Sequence, residues 1–273
     1  MALLRLLTAV ALCGGPSTAG GLPGLLAGVL GWLCATTFAY LYNGVADADE
    51  DGLNESGRPI ARGALSSRTA LRAAAGFVAV AIAAATVVDV RMVAAVVAVL
   101  VLGYIYSAPG LAFKRTSAGA MAVLLLSGSL TYYGGSVIAG SDRQDGPALL
   151  ILALAMSLWM ALVGALVKDF SDVPGDAATG RRTWAIVLGE TRTAALAAAN
   201  ALLLGTAFVF AAVRWAPSLL PAALACLLGA GCVAVSLALL PPDGSRERRR
   251  VPYRLFMVTQ YLVHGTALTT ALA

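Results

Sequence analysis

Charged residues are scarce in this chain of 273 residues. Asp, Glu, Lys and Arg together make up 12% of it, whereas a soluble globular domain carries roughly 25%. Hydrophobic residues make up 59%. So low a charge content excludes an ordinary soluble domain and predicts an integral membrane protein.

Cysteine and long hydrophilic segments are also in short supply. The sequence contains no hydrophilic segment long enough for a second soluble domain and no low-complexity linker. We therefore expect residues 1–273 to form a single membrane domain. The four cysteines lie within apolar runs and lack the spacing of metal ligands, so we interpret them as small core residues. They are Cys13, Cys34, Cys226 and Cys232.

The chain does contain a series of long apolar runs. Each is about 17 to 25 residues long, which is enough for a helix to cross a hydrocarbon core of roughly 30 Å. We count nine, at 2–19, 22–46, 69–88, 92–110, 117–140, 147–168, 193–213, 217–240 and 253–273. The first is interrupted by Gly14, Gly15 and Pro16 and resembles a cleavable signal peptide, but we retain it as a span. The predicted fold class is an all-α integral membrane protein with nine transmembrane helices.

The basic residues predict how these spans are oriented. Cytoplasmic loops retain Lys and Arg during insertion, and with a cytoplasmic N-terminus sixteen of the nineteen Lys and Arg fall on one side. Arg91, Arg143 and Arg214 fall on the other. We therefore predict a multi-pass protein of the plasma membrane, with the lipid bilayer as its partner. The net charge of +5 reflects this topology and anionic headgroups, so no nucleic acid partner is predicted.

Eight of the fourteen acids lie in two short stretches, 43–55 and 168–176. Both follow apolar runs and are predicted to lie on the cytoplasmic side. In the first stretch polar residues recur every four positions, and in the second at three and four. On a helix, each spacing places its members on one face. The residues are Asn43, Asp47 and Asp51, and then Asp169, Asp172 and Asp176. Pro174 disfavours a continuous helix through the second stretch.

Two acidic faces on one membrane side indicate two halves of one site. Acids in register repel one another unless a cation lies between them, and carboxylate oxygens together with phosphate suit Mg²⁺. Nearby basic residues would then neutralise phosphate charge, with Arg making bidentate contacts. These are Arg58, Lys114, Arg181 and Arg182. The alternative is that each stretch is an ordinary solvated loop.

The two stretches resemble motifs of a known family. NGVADADED is similar to the N-x-x-x-D-x-x-x-D motif, and KDFSDVPGD to the D-x-x-D-x-x-x-D motif, of the UbiA superfamily of intramembrane prenyltransferases. The segments NESGRPIARGALS, YSAPGLAFKR and GDAATGRRTWAIVLG resemble further family segments in the same order. Gly44 stands where many members have Asp, and Gly110 replaces a common Pro. The N-terminus is short, so we expect the contribution of the first helix to the acceptor side to be missing or differently built. The motifs therefore do not identify the acceptor.

This resemblance implies a nine-helix bundle around a central cavity that is capped on the cytoplasmic side and open laterally to lipid. It implies that an isoprenyl diphosphate binds through Mg²⁺, that its allylic C–O bond ionises, and that the cation passes to a lipophilic or aromatic acceptor. The YSAPG form resembles the branch that contains chlorophyll, homogentisate and lipid-ether prenyltransferases more than it resembles the members that use 4-hydroxybenzoate.

The resemblance also implies roles for individual residues. The metal-binding residues would be Asn43, Asp47, Asp51, Asp169, Asp172 and Asp176. The residues that bind the diphosphate would be Asn43, Arg58, Lys114, Arg182 and Tyr106. Catalysis would depend on Asp47, Asp51, Asp172, Asp176, Arg58 and Lys114.

Two other functions stay open at this point. A terpene cyclase of the same superfamily would need no acceptor, and aromatic rings such as Tyr132, Tyr133 and Trp159 would steady the moving cation. A transporter or structural protein fits less well, because the acids lie at helix ends whereas coupling sites lie near the midplane. Polar residues within the spans either line the cavity or join neighbouring helices; examples are Asn200, Gln260 and His264.

Overall fold

The computed structural model describes residues 1–17, 20–53, 57–140, 147–240 and 245–273. Within these ranges the backbone forms helices and turns, and no β-strand is present. The α-helices are α1 Ala2–Leu12, α2 Gly21–Ala46, α3 Ala48–Leu53, α4 Ser67–Thr86, α5 Val90–Ser107, α6 Ser117–Ala139, α7 Pro147–Trp159, α8 Ala165–Asp169, α9 Val173–Ala178, α10 Trp184–Val187, α11 Glu190–Trp215, α12 Leu220–Ala238, α13 Arg246–Arg249 and α14 Val251–Leu272. The predicted all-α class is confirmed. Glu55 and Arg143, which the sequence argument used, lie outside the described residues.

The nine predicted spans are not all confirmed. Among the described residues, seven helices are long and apolar enough to cross a membrane by length and composition: α2, α4, α5, α6, Pro147–Asp169, α11 and Pro217–Ala238. They correspond to the second through eighth predicted runs. The first run forms only α1, which is 11 residues and therefore about 16 Å long. The ninth forms α14, which has 22 residues but carries Arg254, Gln260 and His264.

The sixth span contains a change of helix type. A π-helical segment, Met160–Gly164, joins α7 to α8. The Asn200 side chain donates a hydrogen bond to the Leu162 carbonyl oxygen in this segment at 3.0 Å, so Asn200 joins neighbouring helices. Single π-turns within α-helices are frequently found near functional sites, and here the helix ends only a few residues later, at Asp169.

The helix α1 packs into the bundle although it is short. It lies against α6 and α14, and a methyl group added at Gly135 of α6 would be 2.7 Å from the Leu6 carbonyl oxygen. Arg5 is 3% exposed and donates to Gln260 Oε1 of α14 at 2.8 Å. Arg5 is one of the sixteen basic residues that the sequence predicts on the cytoplasmic side, but it is a buried contact between helices and not part of a loop.

The same buried region includes the single histidine. His264 Nε2 lies 2.6 Å from the Tyr132 hydroxyl, and its Nδ1 lies 2.7 Å from the Gln260 carbonyl oxygen. Polar side chains in membrane helices commonly join helices in this way. Gln260 and His264 therefore act as contacts between α1, α6 and α14. Of the two interpretations given above, they join neighbouring helices.

Candidate active site

The two acidic stretches meet at one end of the bundle. They enclose a cavity of about 510 Å³. Its lining residues are Asp47, Glu50, Asp51, Gly57, Arg58, Pro59, Lys168, Ser171, Asp172, Asp176, Arg181, Arg246, Arg250 and Tyr253. Five of these side chains are carboxylates and five are basic. The cavity is therefore highly charged but formally balanced.

The first acidic stretch keeps a helical register across a break in the helix. α2 ends at Ala46 and α3 begins at Ala48, but Asp47 N donates to Asn43 O at 2.9 Å and Asp51 N donates to Asp47 O at 2.7 Å. Asn43, Asp47 and Asp51 thus share one face, as the four-residue spacing predicts. The Asn43 side chain also donates to Asp47 Oδ2 at 3.0 Å.

The second acidic stretch turns between two short helices. α8 ends at Asp169, and α9 restarts at Val173 with Pro174 in its first turn, where a proline is well tolerated. Asp176 N donates to Asp172 O at 2.8 Å, so these two residues stay in register. The Asp169 side chain faces elsewhere: its Oδ2 lies 3.5 Å from the Ser117 hydroxyl of α6.

Arg181 links the two stretches. Its guanidinium lies 3.2 Å from Asp47 Oδ1 and 3.5 Å from Asp176 Oδ1, and it also contacts the Glu50 carboxylate. Burial by itself lowers the pKa of Arg181, but the hydrogen bond to Glu50 and the charges of Asp176 and Asp47 outweigh this and raise it. Arg181 therefore stays charged between carboxylates from both halves of the site.

Among the described acids of the first stretch, Asp47 is the most enclosed. It is 7% exposed, and its carboxylate contacts the ammonium group of Lys114, which is equally buried. Burial by itself raises the pKa of Asp47, but the hydrogen bond and charge of Lys114, with the charges of Arg181 and Arg58, hold it below its usual value. Lys114 lies in the 3₁₀ turn Phe113–Arg115. The preceding Ala112 has a φ of 34°, a strained left-handed conformation of the kind found at functional sites.

The remaining acids are less tightly held. Arg58 Nη1 lies 2.8 Å from Asp51 Oδ2, and Arg246 Nη2 lies 2.8 Å from Asp172 Oδ1. Burial raises the pKa of Asp176 to about 6, because the Arg181 charge only partly offsets it and the Asp172 charge adds to it. A divalent cation at this position would favour the ionised form.

The donor set suits the magnesium ion that the family resemblance implies. Within the ranges that the structure describes, no three His, Cys, Asp or Glu side chains are grouped closely enough to form a metal site, because basic residues hold the acids. Asp47, Asp51, Asp172 and Asp176 nevertheless face one cavity with oxygen donors only, which are the ligands that Mg²⁺ prefers. If the arginines released these acids, the carboxylates would be available to the metal and the guanidinium groups to phosphate.

The structure brings together most, but not all, of the residues assigned from sequence. Those lining the cavity are Asp47, Asp51, Arg58, Asp172 and Asp176, with Asn43 and Lys114 directly behind Asp47. Asp169, Tyr106 and Arg182 do not line it. Arg182 is exposed, and its backbone N–H donates to the Arg115 carbonyl oxygen at 2.8 Å. The metal, diphosphate and catalytic roles of all these residues stay predictions.

Several cavity residues were missed in the sequence. Arg246, Arg250 and Tyr253 come from the segment that begins α13 and α14, far along the chain from both motifs. The run RERRRVPYR contributes five of the sixteen basic residues that are predicted to lie on the cytoplasmic side, and a dense basic cluster on the side of two acidic motifs is a signal for an anion site. Glu50 is three residues after Asp47 and therefore near the same helical face.

Comparison with known proteins gives the same family as the motifs predict. The UbiA prenyltransferase family profile matches residues 3–259. A digeranylgeranylglyceryl phosphate synthase of Natronomonas pharaonis is 34% identical over 67% of this chain and 65% of its own length. Another, of Methanopyrus kandleri, is 37% identical over 54% of this chain and 52% of its own. The matched regions thus span less than two thirds of these relatives.

A solved structure shares the whole fold. A UbiA homolog from Archaeoglobus fulgidus bound to GPP and Mg²⁺ superposes with a TM-score of 0.73, covering 100% of this chain and 96% of its own, at 20% identity. At that identity the likeness concerns the fold alone. The family profile, in contrast, covers almost the whole chain, and the two acidic stretches, which lie within the matched residues, meet in one cavity. This protein is therefore a member of the UbiA prenyltransferase family.

Proposed function

We propose that the protein uses Mg²⁺ to transfer an isoprenyl group from its diphosphate to the free hydroxyl of a glyceryl phosphate lipid. The observation that carries this proposal is the single cavity, in which carboxylates from both acidic stretches lie with Arg58, Arg181 and Arg246. The relatives named digeranylgeranylglyceryl phosphate synthase support the acceptor class, and the lipid-ether resemblance of YSAPG agrees with it.

The chemistry needs charge neutralisation at the leaving group. The allylic C–O bond breaks with its electron pair going to the diphosphate, the acceptor hydroxyl oxygen bonds to the allylic carbon, and the hydroxyl proton is released. Mg²⁺, when bound by the carboxylates, would stabilise the charge of the departing diphosphate. Arg58 and Arg181 would supply further donors to its oxygens.

The balanced charge of the cavity fits such a substrate. Five carboxylates and five basic groups line it, and Mg²⁺ and a diphosphate largely cancel one another's charge. The acids would then hold the metal, and the arginines that now pair with them would hold phosphate oxygens. The apolar bundle beneath would hold the prenyl chain and keep water from the cation.

We also propose that the protein lies in the plasma membrane with this cavity on the cytoplasmic side. The support is the distribution of basic residues. Arg58, Lys114, Arg181 and Arg246 belong to the cavity end, whereas Arg91 at the start of α5 and Arg214 at the end of α11 lie at the opposite end. Excess Lys and Arg mark the cytoplasmic side.

The test is a reaction with purified protein in detergent. Geranylgeranyl diphosphate, Mg²⁺ and a geranylgeranylglyceryl phosphate acceptor should give the doubly prenylated lipid, identified by mass spectrometry, and EDTA should abolish it. With no acceptor, little cyclic hydrocarbon is expected. A cyclic terpene as the main product without acceptor would instead establish a cyclase, and undiminished transfer in EDTA would overturn the metal requirement.

A further inference from the structure

A second concave region lies on the outside of the bundle, apart from the active-site cavity. It is a groove of about 840 Å³ between α12 and α14. Its lining is apolar except for a few side chains, and Arg248 lies at one end. The lining residues are Leu227, Leu228, Gly231, Cys232, Val235, Ser236, Leu239, Leu240, Arg248, Val251 and Leu255.

The groove faces the region of the lipid chains. Leu228 is 73% exposed and Leu239 is 75% exposed. Leu228 belongs to a helix that is apolar enough to cross the membrane, and Leu239 directly follows the last residue of that helix. From Leu228 to Leu239 the helix rises about 16 Å, which is close to half of a hydrocarbon core of roughly 30 Å. The groove thus runs along about one leaflet, and an extended hydrocarbon chain fits its direction and its chemistry.

Arg248 differs from three of the arginines near it, whereas Arg250 lines the active-site cavity. Arg246 pairs with Asp172 at 2.8 Å, Arg249 with Glu190 at 2.7 Å and Arg254 with Glu247 at 3.2 Å. In the described part of the chain no carboxylate lies within 4.0 Å of the Arg248 guanidinium, whereas its backbone N–H donates to Ser245 Oγ at 3.4 Å. Its charge therefore stands at the membrane surface, at the end of an apolar groove.

We propose that this groove binds an anionic phospholipid of the surrounding membrane, with one chain along α12 and α14 and the phosphate at Arg248. An arginine with no carboxylate partner complements an anionic headgroup, because guanidinium groups bind phosphate oxygens bidentately and basic residues at the membrane surface attract anionic lipid. A zwitterionic lipid brings its own cation to the same place and gains less. The bound lipid would also fix α13, whose Arg246 holds Asp172 in the active-site cavity.

Cys232 provides a local probe of the groove. It is exposed, whereas Cys13, Cys34 and Cys226 are buried. In detergent, dioleoyl phosphatidylglycerol should slow alkylation of Cys232 by N-ethylmaleimide more than dioleoyl phosphatidylcholine does, and soluble glycerol phosphate should not slow it. Equal slowing by the two lipids, no slowing by either, or equal slowing by glycerol phosphate would each overturn the proposal.

Variants separate the headgroup from the chain. Arg248→Gln should weaken phosphatidylglycerol protection about fivefold, the effect of one basic residue at an anionic surface, while Arg248→Lys should keep most of it. Arg192→Gln, which removes an exposed arginine of α11, is the matched control and should behave as wild type. Unchanged protection in Arg248→Gln would overturn the headgroup assignment.

Filling the groove tests the chain without altering charge. A Cβ at Gly231 meets no atom within 4 Å, and Gly231 lines the groove, so the side chain of Gly231→Leu would start in open space and fill part of the groove. It should reduce the number of phosphatidylglycerol molecules retained in native mass spectrometry, and Gly265→Leu on α14, where a Cβ also meets open space, should not. Equal retention by both variants would exclude the groove as the place of the lipid chain.

Discussion

The Arg181 guanidinium contacts carboxylates from both acidic stretches. Before substrate binds, this arrangement offsets the repulsion between Asp47, Glu50 and Asp176. Repulsion of this kind would otherwise push the two halves of the site apart. If the carboxylates bound Mg²⁺ as proposed, the same guanidinium would become available to the diphosphate. Under the proposed function, Arg181 would therefore act both before and after substrate binds.

Replacing Arg181 should damage catalysis far more than replacing its neighbour. We expect Arg181→Ala to lower kcat/KM for the prenyl diphosphate about a hundredfold, the usual loss for one donor to a developing anion. Arg182→Ala, which alters an exposed side chain, should change it less than about fivefold. Steady-state release of diphosphate measures both. If Arg182→Ala lost more activity than Arg181→Ala, the result would support the diphosphate-binding role of Arg182 that the family resemblance implies.

Replacing Asp47 and replacing Asp172 should reduce activity alike but should have different effects on stability. Asp47→Asn leaves buried Lys114 without its charge partner and should lower the free energy of unfolding by about 3–5 kcal/mol. Asp172→Asn breaks a partly exposed pair with Arg246, whose side chain is 44% exposed, and should cost about 0–1 kcal/mol. Both variants should lose about a hundredfold or more in diphosphate release, because each would remove a proposed metal ligand.

A double variant provides the control for Asp47. Asp47→Asn combined with Lys114→Met removes the uncompensated charge, so thermal unfolding in detergent should return toward the wild-type value while activity stays low. Asp89→Asn, at the opposite end of the bundle, should leave diphosphate release unchanged. If Asp47→Asn and Asp172→Asn both turned over at near wild-type rates, the acidic stretches would be ordinary loops.

The sequence predicts the acids of the site better than the basic residues. Asp47, Asp51, Asp172 and Asp176 follow from helical spacing, because their backbone register persists across the helix breaks. Arg181 and Arg182 are adjacent, and which of them faces the cavity depends on the turn that follows α9. Arg246 reaches Asp172 only through the packing of α13, a contact 74 residues apart in sequence.

At the scale of the helices, α1 shows why hydropathy overestimates a span. The apolar run 2–19 forms only 11 helical residues, because Gly14 and Gly15 adopt positive φ angles of 84° and 92° and end the helix. α14 shows the reverse: it is long enough to cross a membrane, but its inward Gln260 and His264 lower its hydropathy. Contacts between these two helices cannot be deduced from either run alone.

Close packing of α1 on α6 is open to a direct test. Gly135→Val would place a side chain against the backbone of α1, within 2.7 Å of the Leu6 carbonyl oxygen, and should cost about 1–3 kcal/mol of stability. Gly76→Val, where a Cβ meets nothing within 4 Å, is the matched control in α4 and should be nearly neutral. Thermal unfolding in detergent reports both. Equal melting temperatures would show that α1 does not pack there.

At the scale of the whole molecule, charge divides the protein into two ends. The cavity end carries the paired acids and the basic residues that hold them, whereas the other end carries Arg91 beside Asp89 and, on α11, Arg214. An arginine costs free energy to move across the hydrocarbon core. Insertion that leaves the arginine-rich end in the cytoplasm is therefore favoured, and this is the basis of the proposed orientation.

Single cysteines at the two ends would test that orientation. Ala64→Cys lies in the exposed loop before α4 at the cavity end, and Val87→Cys lies at the opposite end, where Val87 is 63% exposed. In intact cells, a membrane-impermeant maleimide should label Val87→Cys and should reach Ala64→Cys only after permeabilisation. Wild type, whose only exposed cysteine among the described residues is the lipid-facing Cys232, gives the background. Labelling in the opposite order would place the active-site cavity outside the cell and reverse the topology.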